Sequence, residues 1–286
     1  MKILWLNGLS CNGNAHSFLN SLEIEQFLKD FEFIYHPIIN TKFSLEQIVN
    51  KTIDCDILII DGTLEDGLKK ANISMAKIIN NYGKKVKKII TLGTCACFGG
   101  IFVNKDEKKY GLHYRFEQEH DRFKKLKTKT INIPGCPAHP ETLISTLYSI
   151  KKDYFIKLDH YQRPKEYFAR TTHNGCTRNE YFEYKIDNYK FGNLEGCMFY
   201  DHGCQGPFTN SSCNSILWNG VNSKTRVGQP CLGCTEPTFP KENLFKTKKN
   251  IGIPQNLPLG IPKRAYLSLA GVAKTFKIDR FSKKLI

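Results

Sequence analysis

Between His173 and Cys234 the chain reads His173-x-x-Cys176, then Cys197, Cys204 and Cys213, then Cys231-x-x-Cys234, with Gly175, Gly192, Gly196, Gly203, Gly206, Gly220, Gly228 and Gly233 set among them. From Asp159 to Pro240 the sequence is dense in Gly, Pro, Asn and Cys and has few apolar runs long enough for a core element. Such a stretch is not expected to fold on hydrophobic burial alone, so bound metal should supply much of its stability. Thiolates clustered with an imidazole suit iron–sulfur clusters or zinc.

The first half reads differently. Lys2 to Leu6 is an apolar run ending in a loop, Asn7 to Asn14, and Phe31 to Ile39 is rich in aromatic and β-branched residues. Asp56 to Ile60, Lys88 to Leu92 and Thr130 to Ile133 complete five strand-like stretches. Between them, Ser44-x-x-Gln47 has the form of a helix capping box. Leu68, Ala71, Met75, Ile78, Ile79 and Tyr82 keep helical spacing, and Pro140 suits the first position of a helix running towards Lys151. Strands alternating with helices predict a parallel sheet with right-handed crossovers. The expected fold class is therefore α/β: a flavodoxin-like parallel-sheet domain over 1–157, then an irregular, cluster-binding, Cys-rich domain over 158–286. Residues 104 to 128 read as a lysine-rich surface insertion, and the tail from Lys263 to Ile286 as a peripheral helix.

Cysteines also follow the strands: Cys11 after the first, Cys95 and Cys97 after the fourth, Cys136 after the fifth. In open α/β sheets ligands sit beyond the carboxyl ends of the strands, so Cys11, Cys95 and Cys136 are expected to converge. Each lies among small or breaking residues that let the backbone come close to a cluster. Cys97 is compatible with lining that site, ligating it or packing. Cys55, at a strand start, reads as a small buried hydrophobe.

A formal charge of +15 raises the question of nucleic acid. The lysines are scattered or in short groups such as Lys84-Lys85, and no nucleic-acid-binding signature accompanies them, so no nucleic-acid partner is expected. No 18-residue apolar run occurs, which argues against a transmembrane segment. Without an apolar signal stretch or twin-arginine pair near Met1, the eleven cysteines are expected to stay reduced in the cytoplasm, the protein at most peripheral at the inner membrane face. A zinc ribbon would need a second CxxC to match Cys231 and Cys234, and a thioredoxin-type motif would open a helix, whereas here Pro237 and Pro240 follow. Iron–sulfur is the favoured reading.

Several long runs carry a resemblance to a known family: Trp5-Leu6-Asn7-Gly8, Cys11-Asn12-Gly13-Asn14 with Ser17-Phe18-Leu19-Asn20, Ile133 to Pro140, Gly175-Cys176-Thr177-Arg178-Asn179, and Pro230 to Pro237. The chain resembles the small, electron-transferring subunit of nickel–iron hydrogenases over essentially its whole length. It is most similar to the cyanobacterial-type uptake branch.

The resemblance implies an oxidoreductase acting on H2 as an obligate heterodimer, with the nickel–iron centre on the large subunit and no catalytic residue on this chain. It implies three clusters in a row. The proximal one would use Cys11, Cys95 and Cys136. The distal one, 4Fe–4S, would use His173, Cys176, Cys197 and Cys204. The medial one would use Cys213, Cys231 and Cys234 and be 3Fe–4S, with Lys224 and Thr225 where some relatives place an extra cysteine. Two departures stand out. Asn14 replaces the second cysteine of the common Cys-x-Gly-Cys pattern, so the proximal cluster (4Fe–4S or 3Fe–4S) takes an amide oxygen, a water or Cys97 as fourth ligand, or has only three irons. His16 stands where many relatives carry an acidic residue. Electrons would pass to an acceptor protein or a quinone-linked complex. The rival within the family is a regulatory H2 sensor signalling to a kinase, separable by turnover and kinase binding.

Overall fold

The computed structural model describes residues 1–240 apart from 52, 104–107, 185, 187 and 189, together with 265, 268 and 272. The tail helix expected from Lys263 onward, and the part of the second domain beyond 240, lie outside the described residues.

Five strands form one parallel sheet: β1 (Lys2–Asn7), β2 (Glu32–Tyr35), β3 (Ile57–Asp61), β4 (Lys88–Leu92) and β5 (Thr130–Ile133). Their order is β5-β4-β3-β1-β2, every pairing parallel. This is the flavodoxin-like order, with its switch point between β1 and β3. The alternation of side chains along each strand splits the apolar residues between two faces. Ile3, Trp5, Ile57, Ile59, Ile90, Ile131 and Ile133 face one core with Phe18, Phe27, Leu143 and Leu147; Leu4, Leu6, Leu58, Ile60 and Ile89 face another with Ile78, Ile79 and Tyr82. Each fully buried side chain of this size contributes roughly 1.5–3 kcal/mol. Helices α1 (Gly13–Leu19), α2 (Ile24–Asp30) and α6 (Pro140–Lys151) supply the first face, and α3 (Leu45–Asn50) and α4 (Met75–Lys85) the second.

Several local expectations are met. Ser44 and Gln47 close a capping box on α3, and Pro140 opens α6. Cys55 packs against the second core.

Others need correction. The helix expected from Leu68 begins only at Met75, because Ala71 and Asn72 take positive φ and turn a small hairpin between Lys69–Lys70 and Ile73–Ser74. Two residues in left-handed conformation fit a tight hairpin and break a helix. The second strand is shorter than Phe31 to Ile39. The described part of the lysine-rich insertion is not simply surface: Tyr110, Leu112, Phe123 and Leu126 are buried in the second core, so its lysines decorate a covering layer.

Past α6 the chain returns along the sheet edge. Asn132 donates from its backbone N–H to the Gln162 carbonyl (2.9 Å) and from its side chain to the Tyr161 carbonyl (2.7 Å), which covers the exposed side of β5. Beyond that the described elements are short, such as α7 (Lys165–Phe168), α8 (Asn179–Tyr184) and α9 (Phe199–His202). The apolar cluster there is built on Cys197, Met198, Phe199 and Cys204 themselves.

Candidate metal centre

The loops after β1, β4 and β5 bring Cys11, Cys95 and Cys136 into electrostatic range of one another. Cys95 lies on α5 (Gly93–Phe98), which β4 feeds through Gly93 at φ +80°. Cys11 and Cys136 are exposed and Cys95 half-buried, so this site opens onto the surface. Backbone comes very near the sulfurs: a Cβ at Gly100 would meet Cys95 Sγ at 2.7 Å, and Gly13 donates its N–H to Cys11 Sγ at 3.4 Å. Such amides are the means by which a protein tunes a cluster.

The same loops are tied to the second half by Thr94. Its backbone N–H donates to the Gly135 carbonyl (3.0 Å), its hydroxyl accepts from the Gly135 N–H (2.9 Å), and the same hydroxyl donates to the Cys234 carbonyl. One residue therefore fixes the neighbours of Cys95 and Cys136 against Cys234.

Cys213, Cys231 and Cys234 line a cavity of about 420 Å³ that Cys136 and Pro137 also border. Cys213 Sγ lies 2.9 Å from the Ser211 hydroxyl. His173, Cys176, Cys197 and Cys204 line a second, narrower cavity of about 20 Å³. The two cavities share Asn214 and Thr225. Cys231 donates its N–H to Cys204 Sγ at 3.1 Å and accepts at its carbonyl from Gln205 N–H at 2.8 Å. The three donor sets thus stand in a row, the set of Cys213, Cys231 and Cys234 sharing a wall with each of the others.

The donors fit polynuclear rather than mononuclear metal. Nine thiols and one imidazole in three sets are the soft donors that iron–sulfur clusters take. Burial pushes the Cys95 thiol up to about 11 and that of Cys204 to about 12, and raises Cys213, Cys231 and Cys234, with neighbouring thiols adding to the effect at each except Cys213. Packed thiolates become favourable only with cationic metal to take up their charge. The His173 ring packs 4.5 Å from that of Phe182 beside the narrow cavity.

Two residues left open by the sequence turn elsewhere. Cys97 is fully buried with Phe98 and Tyr114, its Sγ donating to the Thr91 carbonyl at 3.4 Å. Asn14 commits its amide to hydrogen bonds with Asp61, Leu92 and Ala138. His16 is exposed on α1.

Sequence reasoning missed Arg178. Its buried guanidinium borders the narrow cavity and donates to the carbonyls of Thr225 (2.7 Å), Gly196 (2.6 Å), Glu195 (3.3 Å) and Asn193. The sequence named it only within the run Gly175 to Asn179 and gave it no role.

Residues 168–246 match the family model for the C-terminal part of the NiFe/NiFeSe hydrogenase small subunit, and residues 11–150 the model of the NADH ubiquinone oxidoreductase 20 Kd subunit. The chain is 31% identical over 258 residues to the periplasmic NiFe hydrogenase small subunit 1 of Nitratidesulfovibrio vulgaris, covering 83% of this chain and 79% of that protein. It belongs to the nickel–iron hydrogenase small-subunit family. The F420 non-reducing hydrogenase I small subunit of Methanosarcina mazei is 28% identical, over 84% of this chain and 73% of that protein. Among solved structures, the recombinant NiFeSe hydrogenase from Desulfovibrio vulgaris Hildenborough superposes with a TM-score of 0.69 at 27% identity, over 84% of this chain and 94% of that one. The actinobacterial-type NiFe-hydrogenase from Ralstonia eutropha H16 shares the fold, with a TM-score of 0.73 at 22% identity over 99% and 91% of the two chains. The oxidoreductase match stops before the donors that follow residue 170, which only the hydrogenase model reaches. Among the described residues no helix is long and apolar enough to cross a membrane.

Proposed function

We propose that this chain is the electron-transferring small subunit of an H2-oxidising nickel–iron hydrogenase, an uptake enzyme of the cyanobacterial type. Members of its family carry iron–sulfur clusters, while the nickel–iron centre resides in a separate large subunit. In this reading Cys11, Cys95 and Cys136 hold the proximal cluster, Cys213, Cys231 and Cys234 a medial 3Fe–4S cluster, and His173, Cys176, Cys197 and Cys204 a distal 4Fe–4S cluster. When bound, those clusters supply one-electron redox chemistry. Residues 1–157 act as the unit that carries the first, and 158–286 as the unit that carries the other two.

The observation that carries this proposal is the row of three donor sets with shared walls, open to the surface at Cys11 and Cys136. The open end suits an obligate large-subunit partner: Ile101 is 55% exposed beside it, and its N–H donates towards Cys95. A partner there would exclude water from Cys11 and Cys136. The far end, at His173 and Cys176, suits an acceptor protein or a quinone-linked complex. This chain contributes no acid, base or nucleophile to H2 cleavage. Its residues orient the donors, desolvate them and donate amide hydrogens to sulfur, and those influences set potentials. Against the expected cytoplasmic location stand three relatives that are named periplasmic.

The test is anaerobic co-production with the large subunit, followed by iron and acid-labile sulfide analysis and H2-dependent dye reduction. Cys136→Ser and Cys231→Ser are each expected to abolish dye reduction. Full activity in either variant would remove that ligand from the relay, and absence of iron and sulfide would end the proposal.

A further inference from the structure

Asn14 occupies the position at which the proximal set lacks a fourth thiolate, and its carboxamide already makes three hydrogen bonds. Its Nδ2 donates to Asp61 Oδ1 at 2.7 Å and to the Leu92 carbonyl at 3.3 Å, and its Oδ1 accepts from the Ala138 N–H at 2.8 Å. The orientation is not interchangeable. Flipped, the amide would set its oxygen against a carboxylate and a carbonyl, and its nitrogen against an N–H. The partners sit on three different elements: Asp61 ends β3, Leu92 ends β4 immediately before α5, and Ala138 follows Cys136 in the loop to α6. Asn14 itself stands three residues after Cys11. It therefore touches the segments carrying all three proximal cysteines. Gly93 is shaped to admit it, since a Cβ there would lie 2.2 Å from Asn14 Nδ2.

We infer that Asn14 is a positioning residue that clamps the loops of Cys11, Cys95 and Cys136 together, and that it is not a ligand of the metal those cysteines hold. Turning Oδ1 towards metal would break the Ala138 bond and withdraw the amide from Asp61, a carboxylate that is 0% exposed. Ser10, Trp5 and the Gly62 amide also reach that carboxylate, yet losing the Asn14 donor from a buried charge is still costly. The proximal site is then a three-thiolate site, whose remaining valence is filled by a solvent-derived ligand or by no iron at all. This inference rests on the hydrogenase reading above and deepens it.

The experiment exchanges the two clamp residues in the complex with the large subunit. Asn14→Asp supplies a better metal ligand but sets two carboxylates face to face. The clamp predicts that this variant loses the proximal paramagnetic signal at least tenfold, with the medial and distal signals unchanged. The double variant Asn14→Asp with Asp61→Asn restores a donor opposite the new carboxylate and should recover most of the signal. Ligation predicts the opposite: Asn14→Asp keeps its proximal cluster whatever residue stands at 61, and that result would overturn the inference.

A measurement without substitution guards against variants that fail to assemble. In the wild-type complex labelled with amide-¹⁵N asparagine, the reduced proximal cluster should show no resolvable coupling from the Asn14 side chain. A resolved coupling that disappears in Asn14→Ser would overturn the clamp. Iron missing from all three sites of the wild-type complex would instead overturn the hydrogenase reading on which the clamp depends.

Discussion

His139 Nε2 donates to the Ile216 carbonyl at 3.1 Å across 77 residues of sequence, while its Nδ1 accepts from the Glu141 N–H at 3.3 Å and caps α6. The ring also packs on Trp218, 4.6 Å between centroids. Three residues after Cys136, one neutral imidazole thus joins the sheet domain to the Cys-rich half, and it does so in a single tautomer.

Protonation would turn the cap into a donor facing a donor, and burial already opposes it by pushing His139 down to about 4. Burial likewise holds His36 at about 4 and His113 at about 3. For a base whose folded pKa is depressed, stability is complete above the unfolded value near 6.5 and is lost as pH falls towards the folded one. From pH 7 to 5 each of these three histidines should cost roughly 2 kcal/mol. Asp61 acts the other way. Burial raises it to about 6, so folding takes up a proton there as pH falls, returning about 1.3 kcal/mol between pH 7 and 5. The histidines win. The thermal midpoint of the anaerobic complex is expected to fall from pH 7 to 5, and less steeply in His139→Gln; a midpoint flat or rising over that range would contradict this account.

Arg163 carries a second junction. Its guanidinium, 3% exposed, donates to Asp159 at 2.7 Å, Glu236 at 3.2 Å and the Thr235 carbonyl at 3.2 Å. Glu236, two residues after Cys234, in turn accepts from the Asn210 N–H at 2.6 Å. Removing one partner of a buried ion pair strands the others, a loss of about 3–5 kcal/mol. Arg163→Met should therefore lower the thermal midpoint by several degrees and broaden the medial paramagnetic signal, while Arg163→Lys, a single point donor, restores only part. A variant with unchanged midpoint and signal would show that the pair contributes nothing there.

The parallel sheet was legible because β1, β3, β4 and β5 are short apolar runs separated by helix-length spacers, and the convergence of Cys11, Cys95 and Cys136 followed from strand ends alone. Helical spacing misled at Leu68 and Ala71, where two left-handed residues made a hairpin that periodicity cannot register. Tyr110, Leu112, Phe123 and Leu126 were hidden among lysines, so a covering layer read as surface. The grouping of the later donors was harder still. His173 and Cys204 are brought together by loop contacts such as the Thr172 N–H donating to the Thr209 carbonyl at 2.7 Å, and such non-periodic contacts leave no trace in spacing.

Arg178 is expected to act through the backbone it holds. Its acceptors include the carbonyls of Glu195 and Gly196, immediately before Cys197, and of Thr225, whose hydroxyl faces Cys176 at 3.7 Å. Hydrogen bonds from a charged group contribute about 1.5–3 kcal/mol each, so Arg178→Met should loosen the loop of Cys197. The expected outcome is a severalfold loss of the distal paramagnetic signal, with the proximal one intact and iron per complex reduced accordingly. Equal loss at all three sites would point to a general folding defect and refute a local role.

Cys97 offers the sharpest separation of packing from ligation. It is 0% exposed, lies 3.4 Å from the Thr91 hydroxyl, and burial drives its thiol up to about 12. Its neighbours are Phe98 and Tyr114, with Tyr161 packed against them, and none of these residues is a metal donor in the proposed sites. A thiol in that setting behaves as a small hydrophobe with a weak donor. Cys97→Ala removes one sulfur from a packed interior and should cost about 1–2 kcal/mol of stability. Iron content, the proximal signal and dye reduction should all match the wild type. Loss of iron confined to the proximal site would instead make Cys97 the fourth thiolate and require α5 to turn its far side towards Cys95, with the Thr91 hydrogen bond broken.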